Sequence, residues 1–353
     1  GVGNPGTFLV VYSGISNGVQ EFLGIIRVDD PLGALGGPLF SFQFVNVGDI
    51  ENPALPMLDA PQAGTATLVE TNDRRALHAV WRDNSLWTTA QVVPAFGADA
   101  GQTTAHWWQL DTSVPGSISV VQQGDVGGED IAAGSYTFFP SIAVDGGGNM
   151  GIGFAVSAPS IFPSAAYTGR LSSDLTNTVQ PSEILAAGQD FYIRTFGGSR
   201  NRWGDYSGIA IDPTDDMTFC AFNEYALPRG TLISGEDGRW GTRWGCFTFV
   251  DTDSDGIVDS EDNCTLVANG PLIPDSGGNS QLDTDGDGYG NICDADLNGD
   301  LKVDLSDFSF FRIAFDTQAP DADFNGDGEV NLSDFSIFRT LFGNAPGPSG
   351  LNP

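Results

Sequence analysis

The first 250 residues alternate short apolar runs with polar turns. FLVVY (from Phe8), EFLGIIRV (from Glu21), LWTTAQVV (from Leu86), HWWQL (from His106), AAYTGRL (from Ala165) and WGCFTFV (from Trp244) are rich in β-branched and aromatic residues. They are too short for helices and read as strands. Three longer segments share one pattern: a β-rich run closing on an acid, a polar turn, then a second β-rich run. They are TLVETNDRRALHAVW from Thr67, SIAVDGGGNMGIGFAV from Ser141 and GIAIDPTDDMTFCAF from Gly208, with Glu70, Asp145 and Asp212 as the acids. DGGGN and DPTDD are hairpin turn chemistry.

Hairpins recurring about every 65–75 residues predict a mainly β fold whose N-terminal domain is propeller-like, with about four to five blades. A plain β-sandwich is the alternative that strand counting leaves open. The first segment, FLVVYSGISNGVQEFLGIIRVD, reads as the middle and outer strands of a blade without its innermost strand. A ring closed within one chain then needs that strand from elsewhere, and the run Leu39–Val47 is one source. An unfilled edge is otherwise a site of association.

After Val250 the pattern changes. Four copies of D-x-[DN]-x-D follow, each with Asp or Asn at place 9 and Asp at place 12: DTDSDGIVDSED, DTDGDGYGNICD, DLNGDLKVDLSD and DFNGDGEVNLSD. A hard cation such as Ca²⁺ takes six to eight oxygens, and a twelve-residue loop supplies them from side chains at places 1, 3, 5, 9 and 12 and the carbonyl at place 7. The predicted ligands are Asp251, Asp253, Asp255, Ile257, Asp259 and Asp262 in the first loop, and Asp283, Asp285, Asp287, Tyr289, Asn291 and Asp294 in the second. Asp296, Asn298, Asp300, Lys302, Asp304 and Asp307 form the third set, and Asp323, Asn325, Asp327, Glu329, Asn331 and Asp334 the fourth. About four Ca²⁺ are expected, one per loop. Leu301 stands where the other loops have glycine at the sharp turn, which predicts a weaker third site. Each of the last two loops runs into a short helix. Leu305, Phe308, Phe311 and Phe315 share one face, as do Leu332, Phe335, Phe338 and Phe342, and are expected to form the core between the helices. The predicted domains are therefore 1–250, 251–294, 295–343 and a Gly/Pro-rich tail at 344–353.

Charge sharpens this division. The chain carries a net −32, and the part from Asp251 onward has 3 basic and 21 acidic residues, a net −18. Nucleic acid is excluded as a partner by the absence of a basic patch. No apolar run is long enough to span a membrane. The even count of cysteines, Cys220, Cys246, Cys264 and Cys293, beside calcium loops predicts an extracellular or cell-surface setting. If the strands bearing Cys220 and Cys246 are neighbours, a bridge pins the last blade and leaves Cys264 with Cys293. The start at Gly1, without Met or a signal sequence, reads as processing or a fragment.

Three resemblances add to this. NRWGDYSGIAIDP, FNEYA and RWGTRWGCF resemble the last blade of sialidase-like propellers of secreted bacterial proteins. That family uses three arginines on a substrate carboxylate with a Tyr–Glu pair. Here Arg202, Arg239 and Arg243 lie near Tyr206 and Glu224 in sequence, but no clean Asp-box turn accompanies them. The preferred reading packs Trp203, Trp240 and Trp244 between blades and pairs the arginines with acids. DTDSDGIVDSEDNC and DTDGDGYGNICD resemble thrombospondin type 3 repeats, which implies calcium-wrapped loops with little core and supports a Cys264–Cys293 pair. DLNGDLKVDLSDFSFFR and DFNGDGEVNLSDFSIFR resemble the two halves of a dockerin, an EF-hand-like calcium module. That resemblance implies that Leu305-Ser306 and Leu332-Ser333 face a cohesin-like or surface protein.

His78 and His106 lie in apolar strand patterns and read as core or interface residues, and no catalytic or cofactor-binding set stands out. The expected function is that of a secreted bacterial, calcium-stabilised structural or adhesion protein, non-catalytic, associating with copies of itself into a filament through strand sharing or the calcium module. Glycans are a further expected class of partner. The alternative is a secreted sialidase-like glycoside hydrolase held on a cohesin scaffold by its dockerin.

Overall fold

A computed structural model of the chain describes residues 7–33, 36–52 and 54–352, so Gly1 lies outside the described residues. The chain divides into two compact units, Gly1–Thr248 and Phe249–Pro353. The fold is mainly β.

Among the described residues, the first unit holds four antiparallel sheets, each of strands consecutive in sequence. The first sheet is β1 (Thr7–Val11), β2 (Glu21–Asp29) and β3 (Leu39–Gly48). The second is β4 (His78–Arg82), β5 (Ser85–Val92), β6 (Thr104–Asp111) and β7 (Ser119–Val126). The third is β8 (Tyr136–Val144), β9 (Met150–Ala158), β10 (Ile161–Arg170) and β11 (Glu183–Ala186). The fourth is β12 (Gly208–Ile211), β13 (Phe219–Leu227) and β14 (Arg239–Phe247). The first and fourth sheets have three strands and the middle two have four.

Each sheet packs a face on the next, because alternate residues along its strands are apolar. Tyr12, Leu23, Ile25, Val45 and Val47 meet Leu86, Trp108 and Leu110 between the first and second sheets. Trp87 and Trp107 meet Ile142, Ile152, Phe154 and Val156 between the second and third. Gly151 sits where a Cβ would come within 2.5 Å of the Phe219 ring, so the third and fourth sheets approach closely there. Tyr167 stacks on Phe247 at 4.2 Å across the same junction.

Two of the three expected hairpins form. Asp145 turns β8 into β9 and is fully buried, accepting from the Asn149 backbone N–H at 2.8 Å and its Nδ2 at 2.9 Å. Asp212 turns β12 toward β13 and accepts from the Thr214 N–H at 2.8 Å. The segment from Thr67 is not a hairpin. Val69 bridges to Ala60, Glu70 bridges in parallel to Arg202, and the chain then runs on to β4. The real hairpin of that sheet turns at Asp83-Asn84, whose φ values of 45° and 64° suit short polar side chains.

The run Leu39–Val47 pairs with β2, so it does not fill the other edge of β1. Beside that edge, Ala76 N–H donates to the Tyr12 carbonyl at 3.3 Å. Cys220 and Cys246 face each other across β13 and β14 and form a disulfide.

In the second unit, Cys264 and Cys293 form the other disulfide. Two helices follow, α1 (Leu305–Ala314) and α2 (Leu332–Leu341). Asp304 and Asn331 cap them: each side chain accepts from the backbone N–H two residues on, while Asp307 and Asp334 accept from the cap N–H in return. The expected inter-helix core forms in part. Phe308, Phe311, Phe335 and Phe338 pack together, Phe315 and Phe342 lie against Phe311 and Phe338 at 6.1 and 6.0 Å while staying partly exposed, and Leu305 and Leu332 are exposed. Val303, Val330, Phe324, Ala295 and Ala322 complete that core. Val303 exchanges backbone hydrogen bonds with Gly343 and Asn344, and Val330 with Asp316 and Thr317. Each loop is thus stitched to the end of a helix, a two-fold repeat of one interaction.

Truncating Trp107, which has 0% exposure between the second and third sheets, removes a full aromatic payload. Trp107→Ala is expected to cost about 3–5 kcal/mol in denaturant unfolding, against about 0.5 kcal/mol or less for Val121→Ala at an exposed strand position.

Candidate metal centres

All four acidic loops close by one device. The carboxylate at place 1 accepts from the backbone N–H at place 6: Asp251 from Gly256 at 3.0 Å, Asp283 from Gly288 at 3.0 Å, Asp296 from Leu301 at 2.5 Å and Asp323 from Gly328 at 2.7 Å. The place-6 residues have positive φ, 95° at Gly256, 93° at Gly288 and Gly328, and 64° at Leu301. Glycine adopts this conformation freely, while Leu301 pays a steric cost of about 1–2 kcal/mol there. In three loops the place-5 carboxylate also accepts from the place-7 N–H: Asp255 from Ile257, Asp287 from Tyr289 and Asp327 from Glu329.

The carboxylates at places 1, 3 and 5 converge in the first two loops. One oxygen from each of Asp251, Asp253 and Asp255 lies within 4.8 Å of the others, as does one from each of Asp283, Asp285 and Asp287. Asp255 and Asp262 are fully buried, and Oδ2 of Asp253 and of Asp262 is buried without a hydrogen-bond partner. A buried carboxylate oxygen with no donor is costly unless a cation, a proton or a water meets it. The clusters contain only oxygen donors, which suits a hard divalent cation better than zinc. The residues present therefore fit Ca²⁺.

The place-9 side chains are already engaged. Asp259 accepts from the Thr252 N–H and Oγ1–H, and Asn291 likewise from Thr284. Asp304 and Asn331 cap the helices. At place 3, Asn298 Nδ2 donates to Asp307 at 2.8 Å and Asn325 Nδ2 to Asp327 at 3.0 Å.

Two further segments buttress the loops. The stretch between Cys264 and Asp283 folds back on the first: the Asn269 N–H donates to Asp255 Oδ2 at 2.8 Å, and Gln281 Nε2 to Asp262 Oδ1 at 2.9 Å. The C-terminal segment lies on the first two loops. Gly350 N–H donates to the Asp262 carbonyl, Ser349 Oγ to Gly288 O and Asn352 Nδ2 to Asp287 O. These bonds hold the C-terminal segment against the loops of its own unit.

The sialidase-like set is dispersed. Arg243 lies opposite Asn223 and Arg239 opposite Leu227, whereas Glu224 lies opposite Thr242, so both arginines project from the face opposite to Glu224. Glu224 accepts from the Gly204 N–H, and Arg202 pairs with Asp205 and lies near Glu70. Tyr206 is exposed. Trp203 is buried as expected, but Trp240 and Trp244 are 53% and 69% exposed and pack between no two sheets. His78 Nδ1 lies 3.1 Å from Ser141 Oγ and accepts from the Ile142 N–H, and burial lowers its pKa. His106 is buried, with Nδ1 2.6 Å from Asp125.

No family model matches the chain, and no curated protein matches it. Among solved structures it is similar to the major allergen Mala s 1 of Malassezia sympodialis, at 15% identity over 61% of this chain and 56% of that one, with a TM-score of 0.32. The chain thus spans just over half of that protein. It is also similar to the Cellvibrio cellulosa α-L-arabinanase complexed with arabinohexaose, at 11% identity over 69% and 70% of the two chains, with a TM-score of 0.27. No helix among the described residues is long and apolar enough to cross a membrane.

Burial, reinforced by neighbouring carboxylates, raises Asp253 to about 6 and Asp294 to about 7. Both must be ionised to hold a cation. Calcium binding near pH 7 is therefore expected to release protons, with affinity rising as pH increases through about 6–7 and levelling above it. Without cation the sign is opposite: these raised folded-state pKa values stabilise the unit as pH falls from about 7 toward about 4. Titration calorimetry in two buffers of different ionisation enthalpy measures the proton count, and equal heats in both would contradict this.

Proposed function

We propose that this chain is a secreted, calcium-stabilised structural protein that is non-catalytic and assembles with copies of itself outside the cell. The observation carrying this reading is the pair of buried carboxylate oxygens in the first acidic loop, Oδ2 of Asp253 and of Asp262, that no donor among the described residues meets. In this reading the second unit is a thrombospondin type 3-like pair of loops followed by a dockerin-like pair. Asp251, Asp253, Asp255 and Asp262, and Asp283, Asp285, Asp287 and Asp294, hold the first two cations, with the Ile257 and Tyr289 carbonyls. Asp296, Asp300 and Asp307, and Asp323, Asp327 and Asp334, hold the other two, with Asn298, Asn325 and the Lys302 and Glu329 carbonyls. Positive charge there offsets repulsion among carboxylates that otherwise opposes the fold. The place-9 residues fix the loops through the bonds they already make.

The four sheets of the first unit are read as successive blades of a propeller whose first blade lacks an inner strand. Two disulfides agree with an oxidising compartment. The separation of Glu224 from Arg239 and Arg243 by the strand register favours the structural role over the hydrolase. Exposed Leu305 and Leu332, at 71% and 70%, remain free for a surface protein of the cohesin type.

Metal analysis after dialysis against micromolar Ca²⁺ tests the reading. About four Ca²⁺ per chain are expected. One or none in the folded protein overturns it.

A further inference from the structure

Among the described residues, the two end sheets each leave one face without a covering sheet. On the first sheet, Leu9, Ile26 and Phe42 lie in one cross-strand row, Val11, Gly24 and Phe44 in the next, and Thr7, Val28 and Phe40 in the third. Phe42 and Phe44 meet edge to face at 4.6 Å, and Phe42 leans over Gly24, where a Cβ would lie 3.2 Å from its ring. Phe40, Phe42 and Phe44 are nonetheless 70%, 55% and 55% exposed. On the fourth sheet, Phe222 lies opposite Trp244 and Ala226 opposite Trp240; Phe222, Trp240 and Trp244 are exposed, while Ala226 is buried beside Tyr192 and Trp203, which cover that end of the face.

We propose that the outward face of the first sheet of one molecule packs on the outward face of the fourth sheet of a second copy, joining chains head to tail. This deepens the structural reading above by naming the surfaces that assemble.

Charge selects the occupant. The chain carries −32, so two copies repel over most of their surfaces. The three rows on the first sheet contain no charged residue. The paired rows on the fourth contain one, Glu224, which already accepts from the Gly204 N–H. Copies can approach at these faces without bringing acid against acid. Size agrees. Three strands spaced about 4.8 Å apart give a face of several hundred Å², the scale that marks interaction sites and approaches the roughly 800 Å² per partner of a specific interface. The chemistry also repeats within the molecule: every internal junction stacks one apolar sheet face on the next. A contact between the first and fourth sheets uses two different patches, so it is heterologous and propagates unless its rotation closes a ring.

The test uses the full chain in millimolar Ca²⁺ and sedimentation velocity. The wild type is expected to form concentration-dependent oligomers. Phe42→Glu and Trp244→Glu, each at an exposed position, should both sediment as monomers while melting like the wild type. Their equimolar mixture should give dimers of twice the monomer mass, since each variant retains the face the other lacks. If either variant melts early, Phe40→Glu or Trp240→Glu takes its place. A wild type that stays monomeric, a variant that assembles as the wild type does, or a mixture that stays monomeric overturns the proposal. A monomer that still takes up the cations overturns only this docking and leaves the calcium reading standing.

Discussion

Crowding of carboxylates without matching cationic side chains governs the second unit. Lys302, Arg312 and Arg339 are its only basic residues against 21 acids. The chain meets part of the cost itself. Place-1 carboxylates accept the N–H groups of their own turns, place-9 side chains clamp a threonine or cap a helix, and the carboxylates of Asp307 and Asp334 each accept a helix-cap N–H. Those bonds shape each loop but consume only some of the lone pairs. The oxygens left at Asp253 and Asp262 are buried and unpaired, and this residue of unmet acceptors is what a hard cation can satisfy. The disulfide and the C-terminal segment hold the loops together where apolar packing is scarce.

The first unit solves a different problem. Its sheets are stabilised by apolar faces stacked in chain order, and that order has two ends. Trp107 and Phe154 are lost to solvent between sheets, whereas Phe42 and Trp244 carry the same kind of surface outward. In the contact proposed above, the two end faces would cover each other with surface that is nearly uncharged as well as apolar.

Much of this was legible in the sequence because two periodicities are strong. The spacing of aspartates fixed the loops, since place 1 and place 6 must meet for the turn to close. Short turn-bounded runs rich in β-branched and aromatic residues, recurring along the chain, marked β5, β6, β9 and β13. What the sequence concealed was pairing at a distance. Glu70 ends a β-rich run like Asp145 does, yet its neighbour is Arg202 rather than a hairpin partner. Leu39–Val47 was a strand by composition, but only register assigns it to β2. Trp240 and Trp244 were expected inside because tryptophan usually is, and only the count of sheets places them at an end. Val258, Val303 and Val330, all at place 8, are the sequence signal for buried loop residues, distinct from the pattern of oxygen ligands.

The proposed dependence of the second unit on cations is the centre of this account, and hydrogen exchange followed by mass spectrometry tests it most directly. In millimolar Ca²⁺, amides across 251–342 should exchange slowly, including those of Val303 and Val330. In EDTA the same amides should exchange far faster while β5, β6, β8 and β9 keep their protection. Equal protection of 251–342 in both conditions would contradict it.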